Sequence, residues 1–454
     1  MPESHTDVQD LPAGYRMTEL GPLPEEWRVV RLGEVAYVKQ GRTPRREYYD
    51  DLTGYRIIKV KDFEDGAQVS VVPRGERSFT TIDLGDSVRV KAADILILNA
   101  GHSPQVVGQK VGIVPKALEG AFFVAELTVI RALQADPYFL FGVMMLPGTR
   151  NIIRSKVKGG HLYVSQLKTL PIPLPPLPEQ RAIAHVLRAV QEAREATERV
   201  IAALRDLKRS LMRHLFTYGP VPVDQADQVA LQDTPIGPIP AHWRVVRLGE
   251  VVEVRGGKRL PKGHKFADTP TPYPYLRVTN FRNGSIDTQN LKYLTPKDYE
   301  ILKRYTISAQ DVYISIAGTI GLVGTVPPEL DGANLTENAA KLIILDQDHL
   351  SQTYLVYALT SEHCQTQIHQ RSTKTSQPKL ALTRIRQIHL PLPPLDEQRE
   401  IARILQTVDR KIEAEENRKR ALDDLFKTLL HHLMTAKIRV PGEFVERFIE
   451  ENKR

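Results

Sequence analysis

Apolar residues recur on two different periods along this chain, and the change of period marks its parts. Ile183, Val190, Thr197, Leu204 and Leu211 fall seven apart, and Leu187, Arg194, Ile201, Lys208 and Leu215 do so in the register four residues on. That is the a/d frame of a coiled-coil helix. The same frame returns 218 positions later as Ile401, Val408, Glu415, Leu422 and Leu429, with Leu405, Ile412, Lys419, Phe426 and Leu433 beside them. Pro175-Pro176 and Pro393-Pro394 hold the chain extended before each frame, and Glu179 and Glu397 then place a carboxylate in a first turn, where the helix dipole favours it. Helices are predicted over residues 179–217 and 397–437, each about 55 to 60 Å long at about 1.5 Å per residue. A lone amphipathic helix of that length would leave its seam wet, so the two are expected to bury their seams against each other. Arg194, Thr197, Glu415 and Lys419 interrupt the seam near its middle and are expected either to open it or to set its register.

Elsewhere the pattern is shorter and mixed. β-type runs at residues 55–60, 94–98, 275–278 and 311–316 sit among Gly, Asn and Pro turn signals, with helical patterns at 138–145 and 350–368. This predicts two α+β globular domains.

The chain also repeats itself. Residues 21–35 read GPLPEEWRVVRLGEV and residues 237–251 read GPIPAHWRVVRLGEV, an offset of 216 that superposes the only two tryptophans, Trp27 and Trp243. Residues 173–190, PLPPLPEQRAIAHVLRAV, recur as 391–408, PLPPLDEQREIARILQTV, at an offset of 218. Near-equal offsets mean one long unit, duplicated. Between these anchors residues 36–168 and 252–386 share little beyond landmarks such as Asp94-Ile95-Leu96 beside Asp311-Val312-Tyr313. The reading divides the chain into a flexible lead (1–20), a first variable domain (21–170), a proline-rich boundary and helix (171–218), a linker (219–236), a second variable domain (237–388), a second boundary and helix (389–437) and a tail (438–454).

Composition narrows the partner. The 454 residues carry a formal charge of +8 and a pI near 9.3, a bias that suits a polyanion. A single cysteine, Cys364, excludes a disulfide framework and multi-cysteine metal sites, fits a reducing cytosol, and reads as a small buried hydrophobe. No apolar run is long enough to span a bilayer. There is no phosphate loop, H-E-x-x-H, G-x-S-x-G, dinucleotide fingerprint or Asn/Asp-Pro-Pro-Tyr/Phe motif of amino-methyltransferases. Glu451-Asn452-Lys453 resembles a nuclease Glu-x-Lys but lacks a partnering Asp, and adjacent His431 and His432 would point about 100° apart on a helix, a poor metal pair.

What remains are basic and polar runs beside small residues. The first domain has Gln40, Arg42, Thr43, Arg45 and Arg46, then Lys156, Lys158 and His161. The second has Arg255, Lys258, Arg259 and Lys262, then Lys374, Thr375, Ser376, Gln377 and Lys379. Small residues let a backbone approach a groove wall, while these side chains contact phosphates or read base edges. One such run is usually a solvated loop; two at matching places in two repeats favour nucleic-acid contact.

The duplicated W-x-x-x-x-L-G-E (Trp27, Leu32, Gly33, Glu34; Trp243, Leu248, Gly249, Glu250) and P-L-P-P-L-x-E-Q-R-x-I-A (residues 173–184 and 391–402), with the Asp94 and Asp311 landmarks, resemble the specificity subunits of type I restriction-modification systems. The resemblance covers about residues 20–437. It implies an α+β fold: two target recognition domains separated by two long antiparallel coiled-coil helices. Each domain would read half of a bipartite site in double-stranded DNA, and the coiled coil would set the gap. It further implies no catalysis and no cofactor bound by this chain. Two modification subunits would bring S-adenosylmethionine and methylate adenine, and two restriction subunits would bring ATP- and Mg²⁺-dependent translocation and cleavage, all in the cytoplasm and away from membranes. The competing readings are a single-chain restriction-modification enzyme and a coiled-coil adaptor that does not touch DNA.

Overall fold

The computed structural model describes residues 11–63, 69–101, 104–282, 284–373 and 378–450. The chain forms two units, residues 1–198 with 417–454 and residues 199–416, so each unit holds one variable domain and half of each long helix. Glu451, Asn452 and Lys453 lie outside the described residues.

In the first unit an antiparallel sheet runs in the order Ala36–Gln40, Leu127–Ala132, Ile95–Leu98, Val111–Ile113. A second, smaller sheet runs Phe122–Phe123, Tyr55–Ile58, Phe79–Thr80, Tyr49–Asp50. The second unit repeats the larger sheet as Val252–Gly256, Ala339–Ile344, Val312–Ser315, Val323–Thr325, and its smaller sheet runs Lys292–Tyr293, Pro274–Leu276, Ala333–Leu335, Thr306–Ile307, with the same parallel pair at its centre and its fourth strand on the other edge. Each strand that opens the larger sheet alternates apolar and polar residues, as in Val252-Glu253-Val254-Arg255, with the valines buried. Helices Pro137–Met145 and Gln352–Thr360 cover the larger sheets, capped by the side chains of Asp136 and Ser351.

The doubled boundary motif holds each unit together. Trp27 Nε1 donates to Glu179 at 3.0 Å, and Trp243 Nε1 donates to Glu397 at 2.9 Å. The neighbouring glutamines are buried: Gln180 accepts from the Asp136 amide at 2.9 Å, and Gln398 accepts from the Ser351 amide at 2.9 Å. Each glutamine also donates back to a proline carbonyl, Pro175 or Pro393, and so closes the turn that starts the long helix. A buried polar group left unpaired is costly, so Trp, Glu and Gln at these spacings specify one docking of helix on domain.

The long helices span Leu177–Tyr218 and Leu395–Met434. Each starts two residues before the predicted position, immediately after its second proline. The second stops three residues short of 437, where Ala436 takes a positive φ of 53° and Ile438 donates to the His432 carbonyl. All fifteen apolar seam positions are buried or half-buried. In the first unit Arg194 meets Asp423 at 3.4 Å and Lys419 meets Glu198 at 2.8 Å. In the second, Arg205 meets Glu416 at 2.7 Å and Lys208 meets Asp409 at 2.6 Å. Numbers fall along one helix as they rise along the other, so the pairing is antiparallel. The more exposed of these pairs, Arg205–Glu416 and Lys419–Glu198, contribute at most about 1 kcal/mol each, so they fix register more than stability. Thr197 is buried with its hydroxyl turned back to the Ala193 carbonyl at 2.9 Å, and Glu415 pairs with Lys411 along its own helix at 2.8 Å.

Three segments depart from expectation. The lead is not wholly flexible, because Tyr15–Thr18 pairs with Gly21–Pro24. In the linker Leu231–Thr234 pairs with Gly237–Pro240 in the same way, after the short helix Val223–Gln228. Thr18 and Thr234 make the same two turn bonds, so the repeat begins upstream of the predicted boundary. The tail carries a helix, Gly442–Glu450, whose Phe444, Val445 and Phe448 pack on the core of the first unit beside His185. Cys364 is fully buried, which pushes its thiol up to about 12. Among the described residues no helix is long and apolar enough to cross a membrane, and no cluster of three metal-ligating side chains occurs.

Candidate nucleic-acid interface

In both domains the chain leaves the first strand of the larger sheet through a glycine pressed against the smaller sheet. Gly41 and Arg42 donate to the Leu127 and Phe123 carbonyls at 2.9 and 3.0 Å; Gly257 and Lys258 donate to those of Ala339 and Leu335 at 3.0 and 2.9 Å. A Cβ on Gly41 would lie 2.3 Å from the Val124 carbonyl oxygen, and one on Gly257 would lie 2.2 Å from that of Thr336. The residues that follow are thereby carried outward. Gln40 donates to the Ala125 carbonyl at 2.8 Å, Arg42 reaches the Leu84 carbonyl at 3.3 Å, and the Thr43 hydroxyl bridges the Ala125 amide and Glu126. Arg45 and Arg46 are exposed, Arg45 only loosely paired with Glu47 at 4.0 Å.

The second basic run comes back to the same place. Lys158 and His161 close a tight turn through Gly159 and Gly160, both at positive φ as a two-residue hairpin turn requires. His161 bridges to Ala100, Leu162 donates to Asn99 at 2.8 Å, and Asn99 in turn donates to the Glu126 carbonyl at 2.9 Å. Lys156 ends the helix Pro147–Lys156 just before this turn, and His161 stacks on the exposed Tyr163 with ring centroids 6.2 Å apart. In the second domain Lys379 bridges to Ala317, Leu380 donates to Ile316, and both Ile316 and Ala317 donate to the Asn338 carbonyl. Two runs far apart in sequence thus meet in the first domain, and in the second Lys379 stands at the corresponding bridge. Lys374, Thr375, Ser376 and Gln377 lie outside the described residues.

The remaining residues of the set differ in their surroundings. Arg255 stays within its strand, paired with Glu253 at 2.8 Å. Lys258 and Lys262 are exposed, and Arg259 faces Glu337 at 3.4 Å.

The structure adds a basic element absent from the predicted set. Ile58-Lys59-Val60-Lys61-Asp62-Phe63 and Leu276-Arg277-Val278-Thr279-Asn280-Phe281 form the same turn after a strand of the smaller sheet. Asp62 accepts from the Lys59 amide at 2.8 Å and Asn280 from the Arg277 amide at 3.2 Å. Burial and the nearby Lys61 hold the Lys59 ammonium below its ordinary range. The signal was available as an [Ile/Leu]-[Lys/Arg]-Val-x-[Asp/Asn]-Phe repeat at an offset of 218.

In the second domain Arg259, Phe266, Tyr275, Arg277, Glu337 and Asn338 line an open cleft of about 400 Å³. Tyr275 donates to the Lys258 carbonyl at 2.8 Å, and burial pushes its hydroxyl up to about 12, so it stays neutral. Gly257→Ala is expected to force the two backbones apart, costing about 1 to 3 kcal/mol. It should also weaken DNA binding at one half-site, measured by thermal unfolding and by duplex titration.

A sequence profile described as the type I restriction modification DNA specificity domain matches residues 24–205 and again 240–423. The starts of the two matches differ by 216 and the ends by 218, the offsets of the internal repeat. The type I restriction enzyme MjaVIII specificity subunit of Methanocaldococcus jannaschii is 26% identical over 432 residues, covering 92% of this chain and 94% of the relative. The EcoBI specificity subunit of Escherichia coli is 25% identical over 269 residues, covering 57% of this chain and 56% of the relative. Among solved structures, the type I restriction-modification system S subunit of M. genitalium superposes with a TM-score of 0.56 at 17% identity, covering 90% of this chain and 96% of that one.

Proposed function

The chain belongs to the type I restriction modification DNA specificity family, and from that premise we propose that it is the sequence-reading subunit of a type I restriction-modification complex. Each variable domain reads one half of a bipartite site in double-stranded DNA, and the paired helices set the gap between the halves. One observation carries this reading: in both repeats the first basic run leaves the larger sheet through a glycine pressed against the smaller one that tolerates no side chain, and in the first repeat a second basic run meets it there.

The subunit acts by recognition and is not itself catalytic. Two modification subunits bind S-adenosylmethionine and methylate adenine, and two restriction subunits use ATP and Mg²⁺ to translocate and cut, in the cytoplasm. Within this chain, Lys and Arg neutralise phosphates while the polar side chains between them meet base edges.

The test is duplex binding by the reconstituted complex across a range of salt. Affinity should fall linearly on a log–log plot, as release of counterions requires. Arg42→Ala or Lys258→Ala should flatten that slope by about one each where the cation meets a phosphate. Salt-independent binding, or none, would favour the adaptor reading; methyl transfer by this chain alone would favour the single-chain enzyme.

A further inference from the structure

Glu337 is the one acidic side chain among the residues that line the cleft of the second domain, beside the basic Arg259 and Arg277. Glu337 faces Arg259 at 3.4 Å and accepts from the Thr336 hydroxyl at 3.0 Å, yet its side chain remains 31% exposed. On a surface that meets phosphates a carboxylate weakens attraction, and that cost is offset where it accepts a hydrogen bond from the bound duplex. In the major groove the base-edge donors are the amino groups of cytosine and adenine.

The surroundings favour a base reader over a phosphate clamp. Tyr275, buried and tied to the Lys258 carbonyl, gives the cleft a fixed floor. Arg277 is held by the Asn290 carbonyl at 3.1 Å, while its Nε is buried with no partner among the described residues. Asn338 lines the same cleft on a backbone anchored by Ile316 at 2.8 Å. In the first domain Thr43, which stands 216 positions before Arg259, donates to Glu126 at 3.2 Å, so a carboxylate occupies that neighbourhood too.

We propose that Glu337 is a specificity-determining residue, whose carboxylate accepts a hydrogen bond from the amino group of a cytosine or adenine on one strand of the second half-site. This rests on the reading of the chain as a DNA-recognition subunit.

The test uses the full chain with its modification subunits and duplexes carrying each of the four bases at every position of the second half-site. The unaltered complex should prefer cytosine or adenine at one position. Glu337→Ala should reduce that preference by about tenfold or more, the usual worth of one good base contact. Preferences in the first half-site should be unchanged. Glu337→Gln keeps one acceptor oxygen and adds a donor that suits adenine N7, so at the same position it should lose any preference for cytosine while still accepting adenine. Two outcomes overturn the proposal while leaving DNA recognition intact. Equal strengthening on every duplex would make Glu337 a simple electrostatic brake. Loss of a preference for guanine would mean that it orients Arg259, whose guanidinium pairs with guanine. Absence of any sequence preference in the unaltered complex would instead remove the underlying reading.

Discussion

Gln398→Ala is expected to destabilise the second unit by about 3 to 5 kcal/mol, more than any surface charge on the same helix. Gln398 is fully buried, and its side chain satisfies three main-chain groups: it accepts from the Ser351 amide and donates to the carbonyls of His349 and Pro393, each at 2.9 Å. Alanine supplies none of these bonds and leaves a cavity too small to be rehydrated without rearrangement. The Ser351 amide belongs to the N-cap residue of the helix Gln352–Thr360, so fraying there should propagate into the larger sheet. Gln180→Ala should act in the same way on the first unit through the Asp136 amide and the Pro175 carbonyl. Denaturant unfolding with hydrogen exchange at Ser351 measures the effect. Arg399→Ala, at a mostly exposed side chain in the same turn, is the control and should stay within about 0.5 kcal/mol. If Gln398→Ala proved as mild as the control, the glutamine would not hold helix and domain together.

That role separates what the sequence displays from what folding creates. The heptad frame, the duplication and the α+β character follow from periodicity and spacing, which are local or repeated signals. Glu179 and Glu397 are visible as first-turn carboxylates, but their bonds to Trp27 and Trp243 join residues more than 150 positions apart. No local pattern states such a partner. The hairpin of Tyr15–Thr18 escapes because its strand has no fully buried residue, leaving only Thr, Gly and Pro as shared marks. The helix Gly442–Glu450 shows an apolar face in Phe444, Val445 and Phe448. Nine residues are too few to be stable without the surface it covers.

The candidate site was legible in part for the same reason. Basic runs beside glycine are readable, and their convergence is not, because it depends on carbonyls at residues 99, 123 and 126 receiving amides from elsewhere in the chain. The turn holding Lys59 and Arg277 was readable in principle, since its side-chain bond to Asp62 or Asn280 spans only three residues. The basic side chains there are separated by apolar ones, so the turn does not register as a charged run.

Lengthening both long helices by one heptad, between Glu198 and Arg199 and between Glu416 and Asn417, is expected to move every methylated site to one with a wider gap and unaltered half-sites. Seven residues add about 10 Å at about 1.5 Å each, and a base pair occupies about 3.4 Å, so the gap should widen by about three base pairs. A heptad preserves the a/d seam, whereas four residues would rotate it away from its partner. Both helices must be lengthened together. The pairs Arg194–Asp423 and Lys419–Glu198 lie on one side of the insertion and Arg205–Glu416 and Lys208–Asp409 on the other. Extending one helix alone keeps one set only by breaking the other, so that variant should assemble poorly. About three base pairs also turn the second half-site by roughly 100° around the duplex at about 10.5 base pairs per turn. The doubly lengthened complex must absorb that angle as DNA twist and should methylate its new sites less completely. Methylome mapping in cells carrying each variant reads gap, half-sites and extent together. A folded, active double insertion that kept the original gap would show that the helices join the domains without measuring DNA.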